Sequence, residues 1–60
     1  MGDMDRAMTL AREYRALIER GDVVLAEQAR RNLDDLGIGS YMDGRWTLAE
    51  PIRRAMGELP

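Results

Sequence analysis

The sequence contains no cysteine and no histidine, and this absence excludes several kinds of site. Without cysteine the chain can form neither a disulfide nor a thiolate metal site. A zinc or copper site would need carboxylates alone, which these metals do not favour, so we expect no metal and no cofactor. Nucleophilic catalysis has no candidate set either, because lysine is also absent and Ser40 is the only serine. We therefore expect a protein that is not an enzyme.

Long apolar runs and an excess of positive charge are missing as well. No segment approaches the roughly 20 apolar residues of a membrane-spanning helix, and the N-terminal segment MGDMDRAMTL is charged throughout. We therefore expect a cytoplasmic protein that does not enter a membrane. All nine basic residues are arginine and eleven acids give a net charge of −2, which argues against strong non-specific binding of nucleic acid. The bias toward Arg, Ala, Gly and Asp is typical of GC-rich bacterial genomes.

The length of 60 residues allows one small domain. A chain of this size buries only about 60% of the surface that its unfolded form exposes, so its stability is marginal. Small folds usually gain stability from disulfides, a metal or a partner chain, and the first two are excluded here. We therefore expect a protein partner or self-association.

Residues 4–20 predict a strongly amphipathic first helix. Its apolar arc fills half of the helical wheel, which is more than one neighbouring helix needs. Part of this arc is therefore predicted to form a self-association or partner surface. The residues predicted for this surface are Met4, Met8, Ala11, Tyr14 and Ile18.

A second helix is predicted over 23–36. Gly21 suits the left-handed residue that ends the first helix, and Asp22 suits the N-cap of the next one. Gly37 is the natural stop for the second helix, whose apolar stripe is narrow.

A β-hairpin is predicted over 38–48. Asp43 followed by Gly44 is the strongest short signal for a two-residue turn, in which both residues have positive φ. This turn would place Tyr41 opposite Trp46 on one aromatic face, which can cover the helices.

A short third helix is predicted over 49–59. Thr47 with Glu50 fits a capping box, or alternatively Pro51 is the first helical residue. The sequence thus predicts a mainly α domain with one small β-hairpin, in the order helix–helix–hairpin–helix.

One concentration of basic residues comes from the second helix, the hairpin turn and the third helix. Glu27 lies three and four residues before Arg30 and Arg31, so these arginines could be ion-paired at the surface. The alternative is that some of the arginines contact phosphate or an acidic partner. Tyr41 and Trp46 could belong to the core or stack on bases. The candidate contact residues for nucleic acid or a partner are Arg30, Arg31, Arg45, Arg53, Arg54, Tyr41 and Trp46.

The stretch GDVVLAEQARRNLDDLGI followed by DGRW resembles the small C-terminal segment of bacterial cysteinyl-tRNA synthetases. The resemblance covers about residues 17–48, and it implies a helix and short hairpin that help to engage the anticodon end of a tRNA. Val23 stands where the family has an aromatic residue, the loop before Trp46 is shorter, and a further helix follows. These 60 residues contain no synthetase catalytic domain, so the resemblance implies RNA contact without that activity. The matching positions are Asp22, Ala26, Glu27, Arg30, Leu33, Gly37, Ile38, Gly44 and Trp46.

A second resemblance is to the end of a winged helix. The stretch LDDLGIGSYMDGRWTLAEPIRRAM is similar to a recognition helix, a wing and a following helix. A recognition helix that begins with Val23 and ends in Asp34-Asp35 is a poor surface for base edges or phosphates. By its resemblance to the synthetase segment, the chain is first expected to be a non-catalytic binding module that contacts RNA or tRNA. A protein–protein interaction or homodimerisation module is the alternative, and a winged-helix-like transcription regulator comes third.

Overall fold

Three helices and one hairpin follow one another along residues 2–59, the part of the chain that the computed structural model describes. In chain order they are α1 (Asp3–Arg20), α2 (Val23–Asp35), β1 (Gly39–Met42), β2 (Arg45–Leu48) and α3 (Glu50–Ala55). This order confirms the predicted fold class, mainly α with one small hairpin. None of the helices described has the length and apolar character that crossing a membrane requires.

The ends of α2 are fixed by local backbone and side-chain groups. The carboxylate of Asp22 accepts a hydrogen bond from the N–H of Leu25 at 3.2 Å, as an N-cap does. At the other end Gly37 has a φ of 74°, and the N–H groups of Gly37 and Ile38 donate to carbonyls of the last turn at 3.0 and 2.9 Å. These two bonds pair carbonyls that the end of a helix otherwise leaves free.

The third helix is shorter than the predicted 49–59, because it ends at Ala55. Gly57 has a φ of 81°, and its N–H donates back to a carbonyl of α3 at 3.1 Å, which closes the helix as Gly37 closes α2. The predicted capping box does not form, since the N-cap residue is Ala49, whose side chain accepts no hydrogen bond. Pro51 lies in the first turn instead, where its missing N–H costs nothing.

The hairpin has the register that its two-residue turn predicts. Tyr41 pairs with Trp46 across the antiparallel strands. Asp43 and Gly44 have φ values of 53° and 76°, both positive, as a tight hairpin turn of this kind requires. The turn thereby decides which residues of β2 face the helices.

The hydrophobic core lies where α1, α2, β2 and α3 meet. Leu33 and Leu48 are the largest side chains that are fully buried, with 1% and 2% of their surfaces exposed. Ala7 and Ala11 of α1 and Ile52 of α3 complete the buried cluster. Partly buried apolar residues pack around it, namely Leu10, Tyr14, Ile38, Trp46, Ala49 and Met56. With so few large side chains inside, much of the apolar surface of the chain lies outside the core.

Candidate functional site

Arg30 lies inside a network of side chains. Its guanidinium donates two hydrogen bonds to the carboxylate of Glu27, at 2.9 and 2.7 Å, and its side chain is only 17% exposed. The same guanidinium lies 5.7 Å from the ring centre of Tyr41 and 5.9 Å from that of Trp46. Glu27 also pairs with Arg31 at 3.5 Å. Two of the arginines predicted to contact a partner are therefore held by one carboxylate.

The pairing of Glu27 with Arg30 changes the pKa of both groups. The hydrogen bonds from Arg30 hold the pKa of Glu27 below its ordinary value, and the positive charges of Arg30 and Arg31 act in the same direction. The hydrogen bonds with Glu27 in turn raise the pKa of Arg30. The pair is therefore fully ionised at neutral pH.

We expect part of the acid sensitivity of the fold to come from Glu27. Because its pKa is lower in the folded chain than in the unfolded chain, the pair stabilises the fold above the unfolded-state pKa. This contribution disappears as the pH falls through the folded-state pKa. The Glu27→Gln variant should therefore show a flatter dependence of the urea midpoint on pH, between neutral and acid conditions, than the wild type.

The matched control for this measurement is Glu13→Gln. Glu13 is an exposed residue of α1 and forms no ion pair within residues 2–59. Its variant should keep the pH dependence of the wild type. Identical pH profiles for Glu27→Gln and the wild type would contradict the assignment.

Trp46 connects the hairpin to both long helices. Its ring packs edge-to-face against Tyr14 of α1, with ring centres 5.3 Å apart and an interplanar angle of 75°. Its indole N–H donates to the carboxylate of Asp34 on α2 at 3.4 Å, and Gly39 of β1 lies directly against the ring. The Trp46 side chain therefore makes structural contacts within the fold. Tyr41 is 63% exposed and is the more accessible of the two predicted aromatic contacts.

Arg45 and Arg53 come together beside the hairpin. Both line a cleft of about 320 Å³, together with Arg15 of α1 and Glu58. Arg15 donates to the carboxylate of Glu58 at 2.7 and 3.3 Å. In the part of the chain that the structure describes, neither Arg45 nor Arg53 forms an ion pair.

The five predicted contact arginines thus separate into two groups. Arg30 and Arg31 share one carboxylate on α2, and Arg54 pairs with an acidic residue one turn away on α3. Arg45 and Arg53 share a cleft and are left without an acidic partner among residues 2–59. The structure therefore brings only this last pair together as available positive charge.

The residues of α1 that were predicted to self-associate are divided between core and surface. Ala11 is fully buried, so it faces the core and not a partner, which corrects that part of the predicted surface. Tyr14 is half-buried against Trp46, and Met8 is half-buried as well. Met4 and Ile18 are 44% and 50% exposed, but they lie near opposite ends of α1.

An apolar surface that the sequence argument missed lies where α1 meets α2. Val23 and Val24 are 76% and 79% exposed and line one groove, and Val23 lines a second groove with Ile18, which is 50% exposed. We call these three residues the Val23 surface. A mainly apolar groove of about 310 Å³ between the two helices adjoins it. The signal was present in the sequence, because two adjacent valines begin α2 outside its apolar stripe.

A comparison with protein-family models, curated proteins and solved structures finds no match to this chain. The resemblance to the cysteinyl-tRNA synthetase segment therefore stays a prediction. Several of the matching positions also have folding roles here: Asp22 caps α2, Leu33 fills the core, Gly37 ends α2 and Gly44 forms the turn. Because folding alone accounts for these positions, the pattern by itself is weak support for tRNA contact.

Proposed function

We propose that this chain is a non-catalytic protein-interaction domain that pairs with a second copy of itself through the Val23 surface. The exposure of Val23 and Val24, 76% and 79%, carries this proposal. Apolar side chains exposed in a group mark interaction sites more often than single exposed ones do. Ile18, one of the two exposed members of the predicted α1 surface, lies in the same group.

The total surface of the chain supports an association of this kind. Its accessible surface is 4542 Å². A compact folded monomer of the same mass would expose roughly 3,950 Å². The chain therefore exposes about 600 Å² more surface than a compact monomer of its mass. A second copy would bury apolar surface that the small core leaves exposed.

The charges around the Val23 surface suit a self-complementary contact. Glu27 and Arg31 line a groove with the two valines, and the guanidinium of Arg20 lies 3.8 Å from the carboxylate of Asp22 between α1 and α2. Both signs of charge are therefore present at the rim. A twofold axis brings the same patch of each copy face to face, so the rim of one copy can place acids beside the arginines of the other.

The decisive experiment replaces Val24 with aspartate and measures mass by sedimentation equilibrium. We expect the wild type to form a species of twice its 6.8 kDa mass at micromolar concentration. Val24→Asp should weaken this dimer by about a hundredfold or more, because the symmetric contact loses two valines and gains two buried charges. The monomer should still fold, since the first turn of α2 contains no acidic residue and an aspartate there interacts favourably with the helix dipole.

Met42→Asp is the matched control for this variant. Met42 is also an exposed apolar residue, 60% exposed, but it lies on the hairpin and lines neither groove of the Val23 surface. Its variant should dimerise like the wild type. A wild type that stays monomeric at high micromolar concentration would overturn the proposal, as would equal dimerisation of the Val24→Asp variant.

RNA contact is the second candidate function. Arg45 and Arg53 favour it, since no acidic residue of the described chain neutralises them, and Tyr41 is an exposed aromatic ring on which a base could stack. The net charge of −2 and the pairing of Arg30 with Glu27 count against it. A filter-binding titration of bulk tRNA at low and moderate salt separates the two functions, because phosphate contacts weaken steeply as salt rises.

A winged-helix regulator is the weakest of the three candidates. It would need α2 as the recognition helix, and Arg30 and Arg31 on that helix are both engaged by Glu27. The helix also ends in Asp34 and Asp35, which repel phosphate.

A further inference from the structure

We infer that the cleft between the hairpin, α1 and the segment after α3 binds an acidic peptide segment of a partner protein. This arginine cleft has a volume of about 320 Å³. It lies on a different part of the fold from the Val23 surface, so the inference is independent of self-association. The lining residues that matter are Tyr14, Arg15, Arg45, Trp46, Arg53 and Glu58.

Glu58 of the chain itself shows how the cleft accepts a carboxylate. The turn at Gly57 brings it back toward α1, and the N–H of Glu58 donates to the carbonyl of Arg53 at 2.9 Å. Its two carboxylate oxygens then accept hydrogen bonds from Arg15 at 2.7 and 3.3 Å. This is the two-point geometry by which arginine binds carboxylates, so one arginine of the cleft is occupied from within the chain.

The other two arginines of the cleft are open to an external acid. Within residues 2–59 no carboxylate forms an ion pair with Arg45 or Arg53. Asp43 lines the adjoining groove with both of them but pairs with neither. Three arginines and one glutamate give the cleft a net charge of +2, in a chain whose net charge is −2. The positive charge is therefore confined to this small cleft.

The remaining wall of the cleft is apolar. It is formed by the rings of Tyr14 and Trp46 and by the buried side chain of Leu48. A ligand that matches both walls has carboxylates for the arginines and an apolar side chain for the rings. An acidic peptide carries both groups on one short segment. A long polyanion such as RNA would extend beyond the cleft over a chain that is acidic as a whole, and the two would repel each other.

The test measures binding of a labelled hexapeptide that alternates glutamate and leucine, by fluorescence anisotropy. The same peptide with glutamine in place of glutamate, and bulk tRNA, are the comparison probes. We expect the acidic peptide to bind with an affinity that falls as salt rises, and the glutamine peptide not to bind. The double variant Arg45→Gln/Arg53→Gln should bind the acidic peptide about tenfold more weakly.

A second variant, with its charge control, separates the geometry of the cleft from the effect of net charge. Glu58→Gln removes the internal carboxylate and frees Arg15, so it should bind the acidic peptide roughly two- to fivefold more tightly. Glu13→Gln makes the same change of charge on an exposed part of α1 and should leave the affinity unchanged.

The control for the double variant is Arg6→Gln/Arg12→Gln. It changes the net charge by the same amount with two exposed residues of α1 that line no part of the cleft. Circular dichroism checks that every variant is folded. Any of four results would overturn the inference: no binding of the acidic peptide, equal binding of the glutamine peptide, equal losses in the two double variants, or retention of tRNA in place of the peptide.

Discussion

The Gly39→Ala variant is expected to melt about 10–20 °C below the wild type, a loss of roughly 2–3 kcal/mol for a domain of this size. An added Cβ at Gly39 would lie 2.2 Å from Cζ2 of Trp46 and within 2.8 Å of two further ring atoms. The ring cannot simply move aside, because it packs against Tyr14 and lies beneath the guanidinium of Arg30. Thermal unfolding followed by far-UV circular dichroism and Trp46 fluorescence measures the effect.

Two further variants separate the steric clash from other costs. The φ of Gly39 is not positive, so its backbone conformation is open to any residue, whereas Gly37 has a φ of 74° and open space around it. Gly37→Ala should therefore lower the free energy of unfolding only by the backbone strain, about 1–2 kcal/mol. In a Trp46→Leu background the Gly39→Ala change should add little, because the clashing ring is gone. A Gly39→Ala variant that melts with the wild type would disprove the close contact.

The Leu33→Ala variant is expected to lose about 3–4 kcal/mol of stability. Leu33 is 1% exposed and is one of the two largest side chains that are fully buried. A domain of this length has roughly 3–9 kcal/mol of stability in total, so the variant should lose about a third of it or more. Urea unfolding at low temperature measures the loss.

Leu36→Ala makes the same chemical change three residues further along the chain. Leu36 is 54% exposed, so its truncation leaves no internal cavity and should cost less than about 1 kcal/mol. Similar losses for the two variants would show that Leu33 is not the centre of the core.

One residue lies next to both proposed binding surfaces. Tyr14 lines both the groove beside the Val23 surface and the arginine cleft. The Trp46 ring that packs against it lines the arginine cleft. The proposed pairing of chains and the proposed capture of an acidic peptide would therefore use different outer residues that have Tyr14 as a common neighbour.

Local sequence signals decided where the elements begin and end. Asp22 and Gly37 mark the two ends of α2, and Asp43-Gly44 sets the hairpin register, because each acts through the backbone angles of its own position or through hydrogen bonds a few residues away. The end of α3 was decided in the same way. Gly57 carries the same signal as Gly37, and the prediction of a helix to residue 59 overlooked it.

The sequence by itself therefore determined the order of the elements, the caps of α2 and the strand pairing, since these depend on interactions over a few residues. Only the tertiary structure decided that Ala11 is buried while Val23 stays exposed. It also decided that Glu27 pairs with Arg30, whereas Arg45 and Arg53 have no acidic partner among residues 2–59. The reason is geometric. The wide apolar arc of α1 allows several packing arrangements. Which side chains come into contact depends on how α2, the hairpin and α3 pack together against that arc.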